Sequence, residues 1–165
     1  MTEHALPVQS YIGLGGNLGD PVANMQAALA QLSQTPQITN VRCSPFYRSA
    51  PVGYLDQPDF INAVAQLSTT LSARALLDVL LATEHALGRE RTFANAPRTL
   101  DLDLLLYGDI QLDHPALTVP HPRLHLRAFV LRPLADLSPT LHVPGKGPLA
   151  DWLAACQDQD IAQLR

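Results

Sequence analysis

The hydrophobic and polar positions fall into alternating short-period and long-period blocks. The stretch Val8-Gln-Ser-Tyr-Ile-Gly-Leu-Gly15 is β-branched and aromatic before it breaks into glycine, which predicts a first strand over 8–15. After the turn Asn17-Leu18-Gly19, Asp20 is placed as an N-cap and Pro21 as the first helical residue. Val22, Met25, Leu29 and Leu32 then repeat every three or four positions, predicting an amphipathic helix that ends near Gln34. A second strand is expected over 38–47. A third is expected over 60–70, where Ile61, Ala63, Ala65 and Leu67 alternate with polar neighbours. Ser72 caps a second helix whose apolar face reads Leu76, Leu77, Leu80, Leu81 and Leu87, with Gly88 as its C′ residue. A fourth strand, 100–107, stops at Gly108-Asp109. Loops fill 49–58 and 89–97.

Strand, helix, strand, strand, helix, strand is the ferredoxin-like βαββαβ pattern: an α+β fold with an antiparallel sheet and both helices on one face. From Pro115 the chain continues as a proline-rich and helical extension, with helices expected over 126–137 and around 149–156. Repeats, linkers and low-complexity tracts are not seen, so 1–165 reads as a single domain.

Composition narrows the classes. Of 165 residues, 47% are hydrophobic and 16% charged, enough apolar surface to offset the entropy of ordering one core. The apolar run from Leu104 to Tyr107 is far shorter than the roughly 18 residues of a membrane span, and no signal-peptide core follows Met1, so a soluble cytoplasmic protein is expected. Cys43 and Cys156 lie in no CxxC context, as suits reduced thiols. The net charge of −4 argues against a nucleic-acid or membrane surface. Yet the basic residues are almost all arginine, and Arg89, Arg91, Arg98, Arg123, Arg127 and Arg132 crowd one segment. Planar guanidinium groups suit oxyanions, so this segment points to one small phosphate- or carboxylate-bearing ligand.

The strongest local motif is Arg98-Thr-Leu-Asp101-Leu-Asp103-Leu-Leu. Period-two alternation puts both carboxylates on one face, their Cα atoms roughly 6.8 Å apart, while Leu100, Leu102 and Leu104 enter the core. Such a pair is stable with a hard divalent cation between the carboxylates or an arginine beside them; a solvent-facing strand edge is the plainer reading. Glu84 falls on the apolar face of the second helix and should be partly buried, either paired to Arg89 or Arg91 or accepting from a ligand's hydroxyls. The run Gly13-Leu-Gly-Gly-Asn-Leu-Gly19 misses the third glycine of a dinucleotide fingerprint, and a tight turn accounts for it better. A Walker A motif is excluded because Lys146 precedes Gly147, and HExxH and GxSxG are absent. His121 and His125 are four apart but separated by Pro122, which does not suit a zinc site. Phe46, Tyr47, Phe60 and Phe129 lie in or beside the loop regions; they either pack the core or enclose a flat heteroaromatic ligand.

Five blocks, in order and across nearly the whole chain, resemble the 6-hydroxymethyl-7,8-dihydropterin pyrophosphokinase family of folate synthesis. They are Tyr11-Ile-Gly-Leu-Gly-Gly-Asn-Leu-Gly-Asp20, Ser44-Pro-Phe-Tyr-Arg-Ser-Ala-Pro51, Gln57-Pro-Asp-Phe-Ile-Asn-Ala63, Ala96-Pro-Arg-Thr-Leu-Asp-Leu-Asp103 and Leu117-Thr-Val-Pro-His-Pro-Arg123. The resemblance implies a single pyrophosphokinase domain that moves the β,γ-pyrophosphoryl unit of ATP to the pterin's hydroxymethyl oxygen and releases AMP. It implies two Mg2+ ions held by Asp101 and Asp103, with Arg89 and Arg98 catalytic. Glu84, Arg91, Arg98, Thr118, His121 and Arg127 are implied for ATP, and Ser49, Val52, Phe60, Asn62 and Phe129 for the pterin. Both loops resemble lids, and a monomer is expected. Many members carry a basic residue and a Trp where Ala94 and Asn95 stand here, which leaves Phe93 as the aromatic of that loop. Two other classes remain: a ferredoxin-like module that only binds an anion, and a metal-dependent hydrolase of nucleotide pyrophosphates using Glu84 or His121 as base.

Overall fold

The structure is a computed structural model, and it describes residues 3–51, 53, 55–88 and 99–164. Strand β1 (Glu3–Gly16) runs through the middle of the main sheet, antiparallel to β4 (Phe60–Leu71) on one side and to β5 (Asp101–Tyr107) on the other. β2 (Ile38–Cys43) and β3 (Tyr47–Ser49) pair with successive stretches of the far edge of β4, and β10 (Ile161–Gln163) adds outside β3. Two small hairpins, β6 (Leu112–His114) with β7 (Leu117–Val119) and β8 (His142–Val143) with β9 (Gly147–Pro148), lie apart from it.

Alternation along the strands builds two cores. Ile12, Leu14, Ala65, Leu67, Leu102 and Leu104 face α1 (Pro21–Gln34) and α2 (Ala73–Ala86). Tyr11, Val64, Leu105 and Leu106 face α3 (Ala128–Leu137) and α4 (Leu149–Ala155) on the opposite side. The helix signals act as expected: the Asp20 carboxylate accepts from Ala23 N–H at 3.1 Å, Ser72 Oγ accepts from Ala75 N–H at 3.1 Å, and Gly88 takes φ +87° just beyond α2.

Three expectations are corrected. The strand expected over 38–47 is broken, because Pro45 has no N–H for a ladder. Ser44 bridges the gap, its N–H bonding Val64 O and its Oγ accepting Val64 N–H at 3.0 Å. On α2, Leu81 points outward, and the buried row is completed by Thr83 and Glu84 beside Leu76 and Leu80, as a 100° step per residue requires. In β5 the register with β1 slips by one between Tyr11 opposite Leu106 and Ile12 opposite Leu104, so Leu105 is an extra, bulged residue. That is why Leu105 and Leu106 both turn to the α3 and α4 face. The loops 49–58 and 89–97 differ in what is visible: β3 reaches Ser49, and the second loop lies outside the described residues.

Candidate active site

Because Leu100, just before β5, and Leu102 and Leu104 within it are buried on the side of α1 and α2, the strand must turn Asp101 and Asp103 to the other face. There the carboxylates border a cavity of about 600 Å³, within the range of small-molecule sites. Across the ladder Asp101 is opposite Gly15 and Asp103 opposite Gly13. These glycines add no side chain to the floor; a Cβ on Gly15 would lie 3.3 Å from Asn62 Oδ1.

The bulge fixes one wall. The carbonyl of Leu105 accepts the N–H of His121 at 2.9 Å, seating the segment after β7 against the end of β5. The His121 ring accepts the Arg123 N–H on Nδ1 at 3.2 Å, which leaves the ring proton for Nε2. Burial, with Arg127 and Arg123 nearby, lowers its pKa to about 4 despite the counter-pull of Asp101, so the imidazole is neutral at physiological pH. The Arg127 guanidinium lies over the Phe129 ring, 5.4 Å from its centre.

The opposite wall belongs to β3 and β4. Phe60 and Asn62, two apart, both border the cavity, while Ile61 between them packs toward α1 and α2. Asn62 Nδ2 donates to Ser49 Oγ at 2.7 Å with both residues buried. Asn17, also buried, donates to Gln57 Oε1 at 2.8 Å and Pro58 O at 2.9 Å, anchoring the loop that precedes Phe60. Gln159, Asp160 and Ile161 close a third side. Nothing in the sequence marked Gln159 to Ile161 as site residues, since their polar tail shows no motif.

The fold thus gathers Asp101, Asp103, His121, Arg127, Ser49, Phe60, Asn62 and Phe129 around one cavity. Glu84 and Thr118 do not border it. Glu84 is 3% exposed and its Oε2 accepts the Leu102 N–H at 2.6 Å, so the buried carboxylate holds the start of β5. Thr118 Oγ1 donates to His114 O at 3.3 Å in the β6–β7 hairpin. Arg89, Arg91, Arg98 and Val52 lie outside the described residues.

Two carboxylates on one face over a side-chain-free floor offer hard oxygen donors, and Mg2+ needs only one or two of these when phosphate oxygens and water complete its shell. No cluster of three or more His, Cys, Asp or Glu ligands occurs among the described residues. The same cavity is bordered by the aromatic side chains Phe60 and Phe129 and by the buried amide of Asn62. The geometry thus defines a small-molecule cavity that joins a carboxylate pair and an arginine to aromatic and amide side chains.

A model described as 7,8-dihydro-6-hydroxymethylpterin-pyrophosphokinase (HPPK) matches residues 11–139. A Pseudomonas aeruginosa protein described as 2-amino-4-hydroxy-6-hydroxymethyldihydropteridine pyrophosphokinase is 48% identical over 154 residues, 93% of this chain and 95% of its own. A Haemophilus influenzae protein of the same description is 40% identical over 157 residues, 95% and 98% of the two chains. A Plasmodium falciparum HPPK-DHPS crystal structure shares the fold with a TM-score of 0.71 at 14% identity, over 90% of this chain and 44% of that longer one. The chain belongs to the 7,8-dihydro-6-hydroxymethylpterin pyrophosphokinase family. No helix among the described residues is long and apolar enough to cross a membrane.

Proposed function

We propose that this protein transfers the β,γ-pyrophosphoryl group of ATP to 6-hydroxymethyl-7,8-dihydropterin, giving AMP and the pterin diphosphate in folate biosynthesis. The observation that carries the reading is the meeting of Asp101 and Asp103 with Phe60, Asn62 and Phe129 in one cavity. The hydroxymethyl oxygen bonds to the β-phosphorus, the bond from that phosphorus to the α,β-bridging oxygen breaks toward AMP, and the hydroxyl proton is lost. Asp101 and Asp103 would hold two Mg2+ ions, which would supply charge neutralisation at the phosphate oxygens.

The remaining work falls to the chain. Arg127 and neutral His121, with its Nε2 proton, bind phosphate oxygens, and Arg89, Arg91 and Arg98 complete the clamp. Glu84 and Thr118 serve the nucleoside side. Phe60 and Phe129 flank the pterin, Asn62 reads its edge, and Ser49 and Val52 close that pocket. The β2–β4–β1–β5 order is read as the ferredoxin-like core, carrying the proline-rich helical extension across its other face. The protein works as a soluble, cytoplasmic single-domain monomer with no nucleic-acid or membrane partner.

Incubation with ATP, Mg2+ and 6-hydroxymethyl-7,8-dihydropterin should release AMP in equal amount to the pterin diphosphate. AMP formation that does not depend on the pterin would indicate a nucleotide hydrolase instead, and no AMP at all a binding module.

A further inference from the structure

The family match ends at residue 139, yet a side chain twenty residues further on is wired into the cavity wall. Arg127 occupies the N-cap position of α3 in an extended conformation. A guanidinium has no acceptor, so it cannot cap the N–H groups that a helix leaves unpaired at its start. The acceptor comes from the tail: Gln159 Oε1 takes the Ala128 N–H at 2.9 Å, and its Nε2 donates to Leu126 O at 2.8 Å. One amide therefore grips the backbone on both sides of Arg127. Gln159 is held in turn because Ile161 and Gln163 pair with Ser49 and Tyr47 of β3, the strand on the other wall of the cavity.

From this geometry we infer that Gln159 is a positioning residue for the transfer reaction, setting the backbone of Arg127 and the first turn of α3 that carries Phe129. Both bonds of its amide go to main-chain atoms, so its effect on the reacting groups runs through Arg127 and Phe129. A straight amide fork spanning residues 126 to 128 fixes where the guanidinium emerges and where the ring two residues on is presented, so the phosphate side and the ring side of the cavity are set by one contact. The inference rests on the assignment of Arg127 to ATP and Phe129 to the pterin.

The test combines Gln159→Leu, Gln159→Glu and Arg127→Ala in the full-length protein, with titrations of a non-hydrolysable ATP analogue plus Mg2+ and of the pterin, and steady-state turnover. Gln159→Leu, similar in size but unable to bond, should weaken both ligands about tenfold, as expected for a lost fork that misplaces both groups. Gln159→Glu keeps the acceptor for Ala128 N–H and loses the donor, and should recover part of that loss; it also carries the test if the leucine variant folds poorly. Gln163→Ala, on the strand β10 that follows Gln159 and outside the cavity, should match the parent. The decisive reading is a cycle: in an Arg127→Ala background, Gln159→Leu should no longer change nucleotide affinity, because a residue acting through Arg127 has nothing left to position. A purely structural role would lower the melting temperature yet leave the nucleotide effect additive, and that result, or ligand binding within twofold of the parent, overturns the inference. If Arg127→Ala and Phe129→Ala themselves leave both ligands unaffected, it is the site assignment that fails.

Discussion

Asp101 stands directly opposite Gly15 in the ladder between β1 and β5. A side chain at Gly15 would enter the cavity floor and meet Asn62 Oδ1, which a Cβ would approach to 3.3 Å. The backbone there is ordinary, so substitution acts through space alone. Gly15→Ala should weaken the pterin a fewfold and Gly15→Val by about tenfold or more, through lost volume beside Asn62. Calorimetric titration checks this, and a valine variant that binds the pterin like the parent contradicts it.

Removing either carboxylate should abolish most turnover without unfolding the protein. Asp101→Ala and Asp103→Ala are each expected to lower AMP release by about a hundredfold or more at matched Mg2+, the scale of losing charge stabilisation in a phosphoryl transfer. Both groups face the cavity and not the core, so the melting temperature should hold, or rise as like-charge repulsion is relieved. Turnover within tenfold of the parent for both would falsify the assignment of the cation to this pair.

The pterin slot should respond unequally to its two kinds of wall. Asn62→Leu takes the partner from Ser49 Oγ as well as the amide from the ligand, a loss of about 1–3 kcal/mol for a buried polar group. Phe129→Leu removes a stacking surface worth about 1 kcal/mol. Asn62→Leu should therefore hurt more, and both should weaken the pterin more than an ATP analogue. Equal losses for the two ligands would show that the boundary between the subsites is misplaced.

Glu84 separates two roles when its charge alone is removed. Glu84→Gln keeps an acceptor for Leu102 N–H, so stability to denaturant should stay within about 1 kcal/mol, whereas Glu84→Leu strands a buried N–H at a cost of about 1–3 kcal/mol. If the carboxylate also accepts from the nucleoside, the glutamine variant should bind the ATP analogue severalfold more weakly. Unchanged binding would confine Glu84 to holding β5.

Cys43 should be a slow nucleophile. Burial disfavours its thiolate and pushes the pKa up to about 11, leaving about one part in a thousand ionised at pH 8. Iodoacetamide labelling of the native protein should be about a hundredfold slower than in urea and should accelerate as pH rises toward 11. Native labelling as fast as in urea, followed by mass spectrometry, is the contrary result.

Much of the site could be read from alternation because its key strand alternates cleanly: Leu100, Leu102 and Leu104 inward leave Asp101 and Asp103 no other side. The following Leu104-Leu105-Leu106 run carries no alternation at all, so the bulge at Leu105 and the His121 contact it provides could not be seen. Pro45 did announce a break in the strand expected over 38–47, but the Ser44 contact that spans it depends on Val64, twenty positions away. The periodicity placed Glu84 on the buried face of α2 without revealing that it accepts a backbone N–H of β5. Gln159 was least legible: both of its bonds go to main-chain atoms about thirty residues earlier, and a polar tail gives no sign of which backbone it will meet.

The central place of β1 carries a consequence for the speed and order of folding. Its neighbours β4 and β5 begin at residues 60 and 101, so the middle of the sheet cannot form by zipping up a hairpin. Long loops must close first, and their entropy is spent before the pairing returns anything. The transition state of this chain should therefore be crossed in milliseconds to seconds, the range typical of topologies dominated by non-local pairing, with α1 and α2 as early local structure waiting for β5. Of the two strands that pair with β1, the more distant in sequence is β5, the one that brings the two carboxylates, so the chemistry of this chain is tied to a pairing that local structure alone cannot make.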